Sequence, residues 1–163
     1  MEANGDFDRW YRAEHPRLLG LLTVVAGDVH LARDVTAEAF TRALERWDRV
    51  ASMDSPSAWT YRVGVNLVRR RIRRAAVERR LWSHAAEPAT PSAVDLDLWN
   101  AVRALPVRQR TAVALRYVCD LPQAEIAAIM HTAVGTVSAT LTAARRRLSE
   151  QLAPPEPLEV TLD

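Results

Sequence analysis

Lysine is missing altogether: all 22 basic residues are arginine. Arginine suits bidentate phosphate and base contacts, but GC-rich coding gives the same bias, so where the arginines lie is more informative than their number. Cysteine occurs once, which excludes an internal disulfide and fits a reducing cytosol. Cys119 stands among Leu115, Val118 and Leu121, the setting of a buried small hydrophobe rather than a nucleophile. With five glycines, no glycine-rich phosphate loop is present. His15, His30, His84 and His131 are scattered without ligand spacing, and neither HExxH nor a paired-cysteine motif occurs. The carboxylates sit at exposed positions of amphipathic stretches, none in an apolar setting that would raise its pKa. A binding protein without cofactor or metal is expected, not an enzyme. No apolar run approaches the roughly 18 residues of a membrane span. The acidic start MEANGDFDRW has no apolar leader, so neither export nor membrane insertion is expected and the cytoplasm is the expected location. Strand alternation and internal repeats are also absent.

What is present is helical periodicity. The apolar fraction of 48% supports a core in one domain or two small ones, and the net charge is only +2. Residues 6–26 carry an apolar stripe of Phe7, Trp10, Tyr11, Leu18, Leu21, Leu22 and Val25. Pro16 is expected to kink or break this helix early, and Gly27-Asp28 reads as a stop followed by a cap. Residues 29–47 form a second helix, with Leu31, Val35, Ala39, Phe40, Ala43, Leu44 and Trp47 inward and charges of both signs outward. That outer face is either a solvated surface or a mixed-charge docking face. Residues 48–57 read as a loop, and a third helix runs from Pro56 to about Leu81. Its exposed side holds Arg62, Arg69, Arg70, Arg71, Arg73, Arg74, Arg79 and Arg80 against Glu78 alone. Such a helix repels itself unless it meets an anion, which points to a nucleic-acid backbone.

Residues 82–93 are rich in proline, alanine and serine and read as a flexible linker between two small helical domains, 6–81 and 94–152. An acidic, proline-rich tail over 153–163 is expected to be disordered. In the second domain, Ile126, Ile129 and Met130 give a short apolar face, three residues form a turn, and Val134, Val137, Leu141, Ala144 and Leu148 line another helix. This is a helix-turn-helix pattern, whose second helix can enter a major groove. An ordinary helical hairpin in a bundle has the same pattern.

Taken in order, these segments resemble the small extracytoplasmic-function sigma factors of bacterial RNA polymerase. The resemblance covers Asp6 to Leu152. It rests on FDRWYRAEHPRLLGLL, ARDVTAEAFTRALERWDRV, SAWTYRVGVNLVRRRIRR, ALPVRQRTAVALRY and AEIAAIMHTAVGTVSATLTAARRRL, in the family's order and spacing. It implies an all-α protein that binds core RNA polymerase and promoter DNA and is controlled by an anti-sigma partner, monomeric when free or held in a heterodimer. Region two (6–81) would grip the polymerase through Asp34, Glu38, Phe40 and Arg42. It would hold the opened −10 element through Trp59, Tyr61, Arg62, Asn66, Arg69, Arg70, Arg73 and Arg74. The loop 48–57 would surround a flipped −10 base. Region four (94–152) would bind the −35 duplex through Arg110, Arg116, Thr136, Ser138, Thr140, Thr142, Arg145 and Arg146, and would dock on the polymerase flap. Read from spacing, Trp59 is equally a packing residue, and Asn66 can bond a base edge or a backbone group.

The chain departs from the family pattern in four places. Ala37 replaces the glutamine of DLVQE. Arg70 stands where aspartate is frequent. His131-Thr132-Ala133 replaces a turn of the type Gly-Ile-Ser, where histidine tolerates positive φ less well than glycine and Ala133 cannot cap the next helix unless Thr132 takes that role. The start of the recognition helix carries hydroxyls where the family has lysine and arginine. The alternatives are a stand-alone helix-turn-helix regulator, to which the remote basic helix does not belong, and a sigma-like decoy that binds an anti-sigma protein without initiating.

Overall fold

The computed structural model describes residues 2–81 and 96–153. The expected linker 82–93 and all of the expected tail beyond Ala153 lie outside the described residues. Every regular element among the described residues is a helix: α1 (Glu2–Ala26), α2 (Val29–Leu44), α3 (Trp47–Val50), α4 (Pro56–Leu81), α5 (Leu96–Ala104), α6 (Val107–Tyr117), α7 (Gln123–Met130) and α8 (Val134–Leu152).

The termini of these helices follow from their sequences. Helix α1 runs through Pro16 without a break, contrary to expectation. Proline removes one backbone donor, but the fully buried Leu18, Leu21, Leu22 and Val25 that follow anchor the helix to the core. Gly27 ends it at φ 68°, its N–H donating to the Thr23 carbonyl at 2.9 Å. Asp28 then caps α2, one carboxylate oxygen accepting from the backbone N–H of His30 at 2.7 Å and of Leu31 at 3.1 Å. Helix α2 stops at Leu44 rather than Trp47, and the expected loop begins with the single turn α3. This reversal coincides with Trp47 lying against Phe7 at 5.1 Å and Trp10 at 4.8 Å between ring centroids, in an aromatic cluster that also takes in Tyr11 and Phe40. Leu44, expected inward, is exposed because the helix ends there. Ser55 opens α4, its Oγ accepting from the Ala58 N–H at 3.1 Å.

Helices α1, α2 and α4 form the first half and α5 to α8 the second. Gly64 lets α4 close on α1, since a Cβ there would lie 3.0 Å from Leu22 and 3.2 Å from Leu18. In the second half Ala112, Leu115, Ile126, Ala127, Val137, Leu141 and Ala144 are buried, and Ala127 admits the crossing of α8. The two halves also pack on each other, α6 against α1 and α7 against α4, so that one apolar core runs through both. At this seam a Cβ on Gly20 would stand 3.1 Å from Val118 Cγ1, and the Cys119 thiol faces the Arg17 carbonyl at 3.9 Å.

Candidate nucleic-acid interface

Two exposed surfaces carry the residues singled out in the sequence. The first is the outer side of α4. Asn66, Arg70, Arg71, Arg73 and Arg74 are exposed there, with Arg62 and Arg69 half-buried beside them. Arg74 pairs with Glu78 at 3.0 Å and Arg71 reaches across to Glu38 of α2 at 3.2 Å. Among the described residues, no carboxylate lies within ion-pair distance of Arg62, Arg69, Arg70 or Arg73. The row is therefore uncompensated charge, suited to a phosphate backbone. At its upper end Trp59 and Arg62 line a cavity of about 350 Å³ with Met53, Asp54 and Ser55 of the loop and Ala128 and Ile129 of α7. Trp59 is half-buried, so its ring both packs and faces this space.

Tyr61 does not belong to this surface. It is 2% exposed, and its hydroxyl donates to a carboxylate oxygen of Glu14. Burial and then Glu14 push its pKa well above the ordinary tyrosine range. Phe40, expected at the polymerase, is 3% exposed within the aromatic cluster. Arg110, expected at the −35 element, is 9% exposed; one guanidinium nitrogen donates to the Arg103 carbonyl at 3.1 Å. Burial, then the neighbouring Arg103, lowers its pKa. These three expectations are corrected: in this conformation the side chains are internal and offer no contact surface.

On α2, Asp34 is exposed, and Glu38 and Arg42 are half-buried and paired at 2.6 Å. Glu38 thus holds Arg42 and Arg71 at once, linking α2 to the basic helix. Sequence reasoning placed Arg71 on the basic face but missed this bridge, which joins residues 33 positions apart.

The second surface is the helix-turn-helix. The chain bends by 100° between α7 and α8, within the range of this motif. His131 takes the left-handed conformation at φ 50°. Ala133 gives no side-chain cap to α8, and the Thr132 hydroxyl accepts from Arg108 at 3.0 Å. Thr136, Ser138 and Thr142 are exposed along the start of α8, while the Thr140 hydroxyl donates to the Thr136 carbonyl at 2.7 Å. Farther along, Arg145 donates to the Tyr117 hydroxyl at 3.0 Å and Arg146 lies 3.8 Å from Glu150. Arg116 is held by Asp120 at 3.3 Å and the Leu121 carbonyl at 3.2 Å. An apolar groove of about 500 Å³, which sequence reasoning missed, opens nearby among Val24, Leu98, Val102, Tyr117, Val118 and Leu148. Its signal is Tyr117, 59% exposed at the end of an otherwise buried stripe. No single helix among the described residues is long and apolar enough to cross a membrane.

Comparison with known proteins agrees with this geometry. The family model described as Sigma-70 region 2 matches residues 10–78, and that described as Sigma-70, region 4 matches residues 95–148. The ECF RNA polymerase sigma factor SigW of Bacillus subtilis is 31% identical over 145 residues, 77% of this chain and 78% of that protein. This chain belongs to the extracytoplasmic-function sigma factor family. The RNA polymerase sigma-E factor of Streptomyces avermitilis is also similar to this sigma factor, 28% identical over 90% of this chain and 85% of that protein. The sigma factor RpoE of Bartonella quintana, solved in complex with the anti-sigma factor NepR, shares the fold: TM-score 0.78 at 23% identity, covering 90% of this chain and 96% of that one. The family is one of transcription initiation factors, and its members partner core RNA polymerase and promoter DNA.

Proposed function

We propose that this sigma factor directs promoter opening through the outer side of α4 and that it performs no chemistry of its own. The observation that carries this reading is the row of guanidinium groups at Arg62, Arg69, Arg70 and Arg73, without ion-pair partners among the described residues, running past exposed Asn66 to the Trp59 cavity. A cationic track ending at an aromatic side chain suits a single strand whose bases have left the stack. The loop at Met53–Ser55 takes the extruded −10 base. Asp34, Glu38 and Arg42 meet the polymerase clamp. Thr136, Ser138 and Thr142 read the −35 duplex, with Arg116, Arg145 and Arg146 toward its phosphates, and the apolar groove beside Tyr117 takes the flap. Region two thus corresponds to 6–81 and region four to 94–152, in a chain that works in the cytoplasm under an anti-sigma partner. The fold shared with an anti-sigma complex supports that last point.

Run-off transcription with core polymerase and a genomic promoter library tests the reading. Promoter-dependent transcripts above those of core alone are expected, and none at any promoter would overturn it. Retention of core polymerase without transcription would identify the chain as a decoy instead.

A further inference from the structure

The apolar groove of about 500 Å³ has an unusual wall. Leu98, Tyr117 and Val118 stand together on it, each more than 40% exposed, which makes it a concentrated apolar patch on an otherwise polar surface. Among the described residues Arg145 is the only charged side chain lining the groove. Its Nε donates to the Tyr117 hydroxyl at 3.0 Å, and no carboxylate of the described residues lies within ion-pair distance of it. The groove therefore suits an apolar segment that carries acid at its edge. We propose that residues 158–162 of this same chain occupy it, and that the C-terminal segment so competes with the groove's other partner. The competition, unlike the docking, rests on the reading of the groove as the flap site.

The chemistry of the segment matches the wall. Leu158, Val160 and Leu162 alternate with Glu159 and Thr161, and in an extended chain alternate side chains share one side. Pro154, Pro155 and Pro157 oppose a helix. Glu156, Glu159 and Asp163 supply the carboxylates that Arg145 lacks. Reach is also sufficient. Helix α8 ends at Leu152, about 6 Å of helical rise past Leu148 on the groove wall. From Ala153 to Leu158 an extended chain spans up to about 17 Å, more than the roughly 10 Å breadth of one helix. Short tethers of this kind give effective concentrations on the order of millimolar, so a contact too weak to join separate molecules is populated within one chain.

The test is disulfide trapping in the full chain, with Cys119→Ala removing the native thiol. Val160→Cys is paired either with Leu98→Cys in the groove or with Glu150→Cys. Glu150 is exposed, two positions past Leu148 and so roughly opposite it on α8, and it is far closer to position 160 along the chain. Under mild oxidation the Leu98 pair should close at least about tenfold faster than the Glu150 pair, and denaturant should reverse that order. Arg145→Glu should slow the Leu98 pair severalfold, and adding Glu156→Arg and Glu159→Arg should restore it. A Glu150 pair that closes as fast or faster in the native chain would overturn the docking. Disulfide-linked dimers in place of the internal bond would assign the groove to a second copy, and would overturn it as well. A chain ending at Ala153 should bind core polymerase about tenfold more tightly than the full chain, since occlusion lowers apparent affinity by the open fraction. Unchanged affinity, with the Leu98 pair still closing fast, would remove the flap reading and leave the docking intact.

Discussion

His131 holds a left-handed backbone that costs a β-carbon-bearing residue free energy and costs glycine almost none. His131→Gly is therefore expected to stabilise the fold by about 1 kcal/mol, less the greater unfolded-state entropy of glycine, as read by urea unfolding. Ala133→Ser should add about 1 kcal/mol by restoring a cap, because the Thr132 hydroxyl is engaged by Arg108 instead. Both costs were legible in the sequence, since the turn shows which residues stand where a small or capping one serves better. Cys119 gives a pH dependence. Burial pushes its thiol from 9.0 up to about 11. Between those values the unfolded chain releases a proton that the folded chain keeps, so stability falls as pH rises through that window. The loss is on the order of 2 kcal/mol. Cys119→Ala should flatten the fall below pH 10 in chemical denaturation; above it Tyr61, raised likewise by burial, still contributes. The internal place of Tyr61 was legible too. Tyr61, Val65 and Val68 follow one another at helical stripe spacing, and the family correspondence overrode that spacing. Phe40 carried both an inward and a polymerase-binding expectation, and packing takes the first.

At the scale of elements, patterns read correctly where local chemistry decides and incorrectly where distant contacts do. Helix α4 has the expected bounds because Ser55 and Pro56 open it, and the Gly27–Asp28 stop and cap stand as read. Proline at position 16 reads as a breaker only if the helix stands alone, and α1 does not. The end of α2 at Leu44 coincides with Trp47 lying against Phe7 and Trp10, about forty positions earlier in the chain, and no local signal marks it. The arginine face of α4 permits a prediction. Replacing Arg69, Arg70, Arg73 and Arg74 with alanine should lower promoter affinity of the holoenzyme and flatten its dependence on salt. The log–log slope should shrink by about 0.7 for each single-strand phosphate that these arginines neutralise. An unchanged slope would mean that they only solvate the helix.

At the scale of the molecule, the seam is the part the sequence concealed. Each half has enough periodic apolar residues to account for its own helices, so nothing in the pattern requires α1 to bury a second face. Cys119 and Val118 read as the end of an ordinary stripe, and Gly20 as one small residue within another. Their meeting across about a hundred positions is a tertiary fact. A shared core makes the halves unfold together. Calorimetry of the full chain should show one transition with matching calorimetric and van't Hoff enthalpies, and Gly20→Leu should split it in two.

The face of α4 has one further property. With no lysine on the helix there is no amine for acetylation to neutralise. Lysine-directed modification therefore leaves its charge alone. What can turn its grip on a promoter up or down is whatever competes for it or covers it: dissolved salt, another polyanion, or an acidic protein surface laid over the helix.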